Sequence, residues 1–158
     1  MKFSAIVLSI GLVAACRPIT PELTPGFEAF AILPTQWSEK DASFAMNAHM
    51  SVPCRAYSKG RTTLGKKYSR DDFTTLAGYL HTRGLSRRDI ELLASRDQSF
   101  GTGQSFLGLS CSVGYEPEVN KSFYQGVGHR WQAILPGPRY IYLEGDGTPT
   151  GMTVTGWN

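Results

Sequence analysis

The chain predicts an α+β domain in which two to three helices pack on one face of a three- to four-stranded antiparallel meander. Three observations carry that prediction. Residues 69–94 hold two helix-capping signatures in succession, each followed by apolar residues at spacings of three and four. From Val119 on, apolar and polar residues alternate between turn clusters rich in Gly and Pro. The 158 residues include 17 glycines, a share that favours turns and short elements, and the length suits one core. Helices first and strands after, with short loops, is the order of an α+β fold and not of a parallel sheet.

Residues 1–15 read as a lipoprotein signal peptide. Lys2 supplies the positive end, and Phe3 to Val13 is an apolar run of eleven residues. That is too short for a bilayer span, which takes about 20 residues, and it has the length of a signal h-region. Val13, Ala14, Ala15 and Cys16 then follow the lipobox pattern of an aliphatic residue, two small ones and a cysteine. The chemistry needs Cys16, because its sulfur takes the diacylglycerol before cleavage leaves it N-terminal. An ordinary secretory leader with an incidental cysteine is the alternative. Two or three acyl chains on Cys16, palmitate among them, would anchor stably where one chain does not. Arg17 stands where an aspartate would mark inner-membrane retention, so the expected address is the outer membrane, facing the periplasm. Residues 16–26, with Pro18, Pro21 and Pro25, read as a tether, and 27–158 as one domain.

Within the domain, Phe27 to Trp37 is apolar but broken by Pro34, and reads as a short strand or docking arm. Ser38 caps a helix toward Met50, with Asp41 at its third position. Ser51 to Tyr57 contains Pro53 and reads as an edge strand or loop. Lys59, Arg61, Lys66, Lys67 and Arg70 make the next stretch a basic loop. It is either a solvated face or a contact for anionic lipid or lipopolysaccharide phosphates. Ser69 with Asp72 caps the clearest helix, Tyr68 and Phe73 staple it, and Phe73, Leu76, Ala77 and Leu80 form its stripe. Gly84 stops it. Ser86 with Asp89, and Leu85 with Ile90, repeat the device for a helix to about Asp97. Gln104 to Val113 is a third, shorter helix. Strands are expected near Lys121–Gln125, Arg130–Leu135, Arg139–Leu143 and Met152–Trp157.

Little in the chain is arranged for catalysis. There is no Gly-x-Ser-x-Gly elbow and no His-Glu-x-x-His motif. His49, His81 and His129 lack metal-ligand spacing. Gly101 to Gly103 follows no strand and has no third glycine in place for a dinucleotide loop. Asp89 and Glu91 serve capping and solvation, and Asp146 is a turn residue, with calcium ligation a remote alternative. No catalytic residue, metal or cofactor is assigned. A net charge of +3 is too small a balance for nucleic acid, and Asp89 and Glu91 dilute Arg83, Arg87 and Arg88 around the two capped helices. Outside the cytoplasm, with Cys16 acylated, Cys54 and Cys111 form an even pair and read as a disulfide, with two buried thiols as the alternative. Trp131, Tyr140, Tyr142 and Trp157 are candidates for an aromatic binding face, although strand alternation assigns half such a set to the core.

The second half resembles the BamE-like (SmpA/OmlA-type) small outer-membrane lipoproteins. Gly103, Gln104 and Ser105 stand for that family's Gly-Met-Ser/Thr element, and Gly114 to Pro117 for its Gly-x-Pro. His129 to Gln132 looks like its Trp strand, and Arg139 to Gly145 like its aromatic strand. The likeness takes in the lipobox leader and roughly residues 85–158. It implies helices followed by an antiparallel sheet, and work in outer-membrane assembly through a protein partner. The expected function is a lipid-anchored, non-enzymatic binding or assembly module of the bacterial envelope. Its partners would be the membrane, through the N-terminal lipid, and an envelope protein, with no nucleic acid. A secreted or anchored inhibitor or adaptor is the alternative, and an envelope hydrolase a more remote one.

Overall fold

A computed structural model describes residues 26–95, 100–137 and 139–158. The signal peptide, Cys16 and the tether before Gly26 lie outside the described residues, as does the expected helix end near Asp97. The described chain forms five helices: α1 (Glu39–Asn47), α2 (Ser51–Lys59), α3 (Arg70–Thr82), α4 (Arg87–Ala94) and α5 (Phe106–Val113). Four strands follow: β1 (Glu118–Tyr124), β2 (Gly128–Leu135), β3 (Arg139–Gly145) and β4 (Met152–Trp157). They pair antiparallel in the order β1-β2-β3-β4, with a register shift at Tyr142/Leu143. The class is α+β. The helices outnumber the two or three expected, and the sheet has four strands.

The additional helical structure lies in the first half. Ser51 to Tyr57 is neither an edge strand nor a loop but most of α2. Pro53 sits in the first turn, where its missing N–H is one of the donors a helix leaves unpaired anyway. Phe27 to Trp37 is not a strand either; it makes two 3₁₀ turns, Phe27–Ala31 and Pro34–Gln36. Tertiary contacts dictate this path. Phe30 is fully buried, and its ring meets Trp37 and Tyr79 edge to face. The Trp37 indole N–H donates to the Ala29 carbonyl at 2.8 Å.

The capping boxes form as the sequence specifies, at Ser38 with Asp41, Ser69 with Asp72 and Ser86 with Asp89. Two of these aspartates do more. Asp72 also accepts from the Thr35 backbone N–H at 3.1 Å and hydroxyl at 2.7 Å, which ties the second 3₁₀ turn to α3. Asp89 is fully buried, not solvated. It accepts from the backbone N–H and hydroxyl of Ser86, at 2.8 Å each, and from the same two groups of Ser105, at 2.7 and 2.8 Å. Ser105 is the N-cap of α5, whose third residue is Gly108. Asp89 therefore supplies α5 with the carboxyl group that α1, α3 and α4 each carry at their own third position.

Burial divides the interior into two clusters. Phe30, Ala45, Leu76, Leu80, Leu85 and Leu93 belong to the helical one. Phe106 and Leu109 of α5 pack on Trp131, Ala133, Ile141, Leu143 and Val154 in the other. Helix α5 serves both, since its Cys111 faces the helical cluster. Beyond β4, the chain at Gly103–Ser105 closes the sheet edge: Gly103 N–H donates to Val154 at 2.9 Å, and Val154 N–H to Gln104 at 2.8 Å. On the other side β1 is an edge strand exposed along nearly its whole length.

Candidate functional site

The basic stretch folds into a small antiparallel hairpin between α2 and α3. Thr62 N–H donates to Lys66 at 2.8 Å, Gly65 N–H to Thr62 at 3.0 Å and Tyr68 N–H to Gly60 at 2.9 Å, with Arg61 and Lys67 opposed in a bridge. The hairpin is anchored at its base. Thr62 is buried, and its hydroxyl accepts from Lys66 N–H at 3.1 Å. Thr63 N–H donates to the carbonyl of buried Phe30 at 2.8 Å. Gly60 turns the chain out of α2 at φ 60°, with the Phe73 ring 2.8 Å from where a Cβ would stand. A side chain there would be strained twice over. Arg61, Lys66 and Lys67 are thus gathered on one hairpin, flanked by Lys59 and Arg70 at the adjoining helix ends, and all five are exposed. Among the described residues none of them forms an ion pair. Leu64 stands at the tip, 76 % exposed. Reading by charge alone passes over it, but its signal is visible: it is the single aliphatic residue in a cationic run.

The four aromatic candidates do not share one surface. Trp131 is 4 % exposed and packs edge to face on Phe106 beneath α5. Trp157 lies on the same side of the sheet at its margin, half exposed and against Phe100. Tyr140 and Tyr142 lie on the opposite side, because adjacent strand positions alternate. There they sit across from Ile134 and Gln132, and the Arg130–Glu144 pair, at 3.0 Å, continues the same face. Asn120 of β1 donates to Gln132 at 3.3 Å, which extends the polar part of that face. No helix of the described chain packs on it.

At the β1–β2 hairpin, Phe123 is 66 % exposed, Tyr124 half exposed and Val127 61 % exposed. Phe123 and Tyr124 escape sequence reading because alternation assigns a side of the sheet without telling whether a helix reaches it, and Val127 because it sits in the turn between the strands, where no alternation applies. On the inner side of β1, Val119 packs against the cluster that Phe106 and Leu109 of α5 share with the sheet, and farther along the strand Lys121 places its ammonium 4.3 Å from the Trp131 ring centre.

Cys54 and Cys111 are joined as a disulfide between α2 and α5, with a Cα separation of 5.4 Å that lies in the ordinary range. Beside it a cavity of about 160 Å³ is lined by His49, Ser51, Leu107, Glu116 and Pro149 among others. Typical small-molecule pockets are roughly twofold or more larger. The His49 ring nitrogen Nδ1 lies 2.8 Å from the Ser51 hydroxyl and accepts from Ser51 N–H at 3.3 Å, a local contact at the start of α2. Asp146 behaves as a turn residue. Hydrogen bonds from the Thr148 hydroxyl and backbone, with a smaller effect of nearby His129, hold its carboxyl below the usual range. Tyr68, under the basic hairpin, is pushed up to about 12 by burial and then by the charge of Asp72. Among the described residues no three His, Cys, Asp or Glu side chains gather as metal ligands. No described helix is long and apolar enough to cross a membrane.

Comparison with protein-family models, with curated proteins and with solved structures finds no match to this chain.

Proposed function

We propose that this protein is a lipid-anchored, non-enzymatic binding module of the bacterial envelope, held by Cys16 and docking a partner protein on the outer face of its sheet. The observation that carries the docking surface is that face itself. Ile134, Tyr140 and Tyr142 lie together on it, next to Gln132 and the Arg130–Glu144 pair, and no described helix covers them. Tyrosines offer large area with a polar tip, the combination enriched at protein interfaces. The anchor rests on the lipobox pattern, and the outer-membrane assembly role on the resemblance of residues 85–158 to BamE-like lipoproteins.

Photocrosslinking in membranes tests the reading. A crosslinker in place of Tyr142 is expected to capture a defined envelope protein, and one in place of Ser58, exposed on α2, is expected not to. Cys16→Ser is expected to move the protein out of the membrane fraction. Equal capture at the two positions would remove the docking face, and a Cys16→Ser protein that keeps a detergent-sensitive attachment would remove the lipid anchor.

A further inference from the structure

We infer that the hairpin at residues 59–70 is a second membrane contact, made directly by the folded domain with the headgroup layer of an anionic phospholipid membrane. Charge is the first argument. Lys59, Arg61, Lys66, Lys67 and Arg70 fall within twelve residues that include no acid. Asp71 follows at once, yet among the described residues neither it nor any other acid pairs with the five. Cations held near an anionic lipid surface each contribute on the order of 1 kcal/mol to binding.

The second argument is a local rule that the hairpin breaks. Arg61 and Lys67 are directly opposed across the bridge, and like charges so placed destabilise a strand pair. Departures of this kind concentrate at functional sites. A layer of phosphates would relieve the repulsion.

The third is Leu64. A site for a soluble polyanion needs only the cations. This hairpin raises an aliphatic side chain at its tip, 76 % exposed, between flanking positive charges. An apolar tip with a basic surround is the composition of elements that settle at the headgroup–acyl boundary. The hairpin is also held in place to present it. The bonds from Thr62, Thr63 and Lys66 fix the loop to its own base and to Phe30. Phe30 lies four residues after Gly26, where the expected tether joins the domain, or roughly 8 Å at the rise of a 3₁₀ helix. An anchor at Cys16 and this hairpin would therefore reach the same surface. The inference extends the lipid-anchored reading, and its test uses protein that cannot be acylated, so that the two fail separately.

The experiment is co-sedimentation of the full chain carrying Cys16→Ser with phosphatidylcholine vesicles, with and without phosphatidylglycerol. The readout is the ratio of anionic to neutral binding, because any affinity of the leader for bilayers is common to all variants. A ratio well above one is expected, falling as salt is added. Lys66→Gln with Lys67→Gln is expected to lower it roughly thirtyfold. Leu64→Ser is expected to weaken vesicle binding while leaving retention on heparin, a soluble polyanion, unchanged. All these side chains are exposed, so thermal unfolding of each variant should come no lower than the parent's, with the Lys66/Lys67 variant equal or slightly higher, which excludes misfolding. A ratio near one, or a ratio that the Lys66/Lys67 variant leaves intact, overturns the inference. Heparin binding with vesicle binding indifferent to Leu64→Ser reassigns the hairpin to a soluble polyanion and overturns it as well.

Discussion

Asp89 shows how much can depend on one carboxyl group. It closes the N-terminus of its own helix and that of α5, and four donors converge on its two oxygens. Gly108 is the other half of the arrangement. A Cβ built there would lie 2.0 Å from the Asp89 Oδ1, inside any permissible contact. In an exposed helix Gly→Ala stabilises by roughly 1 kcal/mol. Here Gly108→Ala is expected to destabilise by about 1–3 kcal/mol, because the carboxyl group must move off its donors. Asp89→Ala is expected to cost roughly 2–5 kcal/mol by orphaning buried N–H and hydroxyl groups. In the Asp89→Ala background the Gly108→Ala penalty should shrink, since the carboxyl group at 2.0 Å is gone and only the contact with the residue-89 Cβ, at 2.8 Å, remains. Urea denaturation of the four proteins measures that coupling. Additive losses would mean that the two positions do not act on each other.

At the scale of the element, the tie between α3 and the turn at Pro34–Gln36 is linked to pH through Asp72. Burial pushes the Asp72 carboxyl up, but hydrogen bonds from Thr35 and Ser69 outweigh it and hold the group at about 2. An unfolded Asp titrates near 3.9, so the folded value is the lower one. The stability that this difference contributes is fully present above about pH 4 and is lost as pH falls toward about 2. Asp72→Asn is expected to be less stable at neutral pH, by about 1–3 kcal/mol, and to lose less on acidification through that window. Chemical denaturation across the range compares the two slopes, and parallel curves would assign the acid sensitivity elsewhere. The same element marks what a sequence makes legible. Capping boxes and staples are local, so α3 and α4 can be read from residues 68–94 alone. Helix α2 is hidden because Pro53 suits a first turn as well as an edge. The turns at Phe27–Ala31 and Pro34–Gln36 are hidden because partners distant in the chain, Tyr79 and Asp72, dictate them. At the candidate site the five cations are plain in the sequence. The hairpin that presents Leu64 depends on the bond from Thr63 to Phe30 and is not.

Across the whole molecule, the two apolar clusters meet at α5, and the disulfide lies at that meeting. Cys54 belongs to a helix buried in the helical cluster, whereas Phe106 and Leu109, on the helix that carries Cys111, pack on the sheet. The bond therefore holds the sheet assembly against the helices, beside the Asp89 cap, the hydrogen bond from Arg88 to the Thr102 carbonyl and side-chain packing. It closes a loop between residues 57 positions apart, for which the chain-entropy model gives a stabilisation of about 4 kcal/mol. With Cys16 replaced by Ser, the native protein should accordingly resist alkylation and gain the mass of two hydrogens on reduction. With Cys54→Ser and Cys111→Ser together, the urea midpoint should fall by an amount corresponding to about 4 kcal/mol. Far-ultraviolet dichroism reports on the helices, and the fluorescence of Trp131, buried beneath α5, reports on the sheet once Trp37 and Trp157 are replaced by Phe. In the bridged protein the two signals should change together, since α5 cannot leave one cluster without straining the other. In the bridge-free protein the fluorescence transition should come first, with α5 and the sheet unfolding while the other helices keep their own core. Two alkylatable thiols in the native oxidised protein would remove the bridge. Coincident transitions in the bridge-free variant would show that packing across α5 unites the clusters without it.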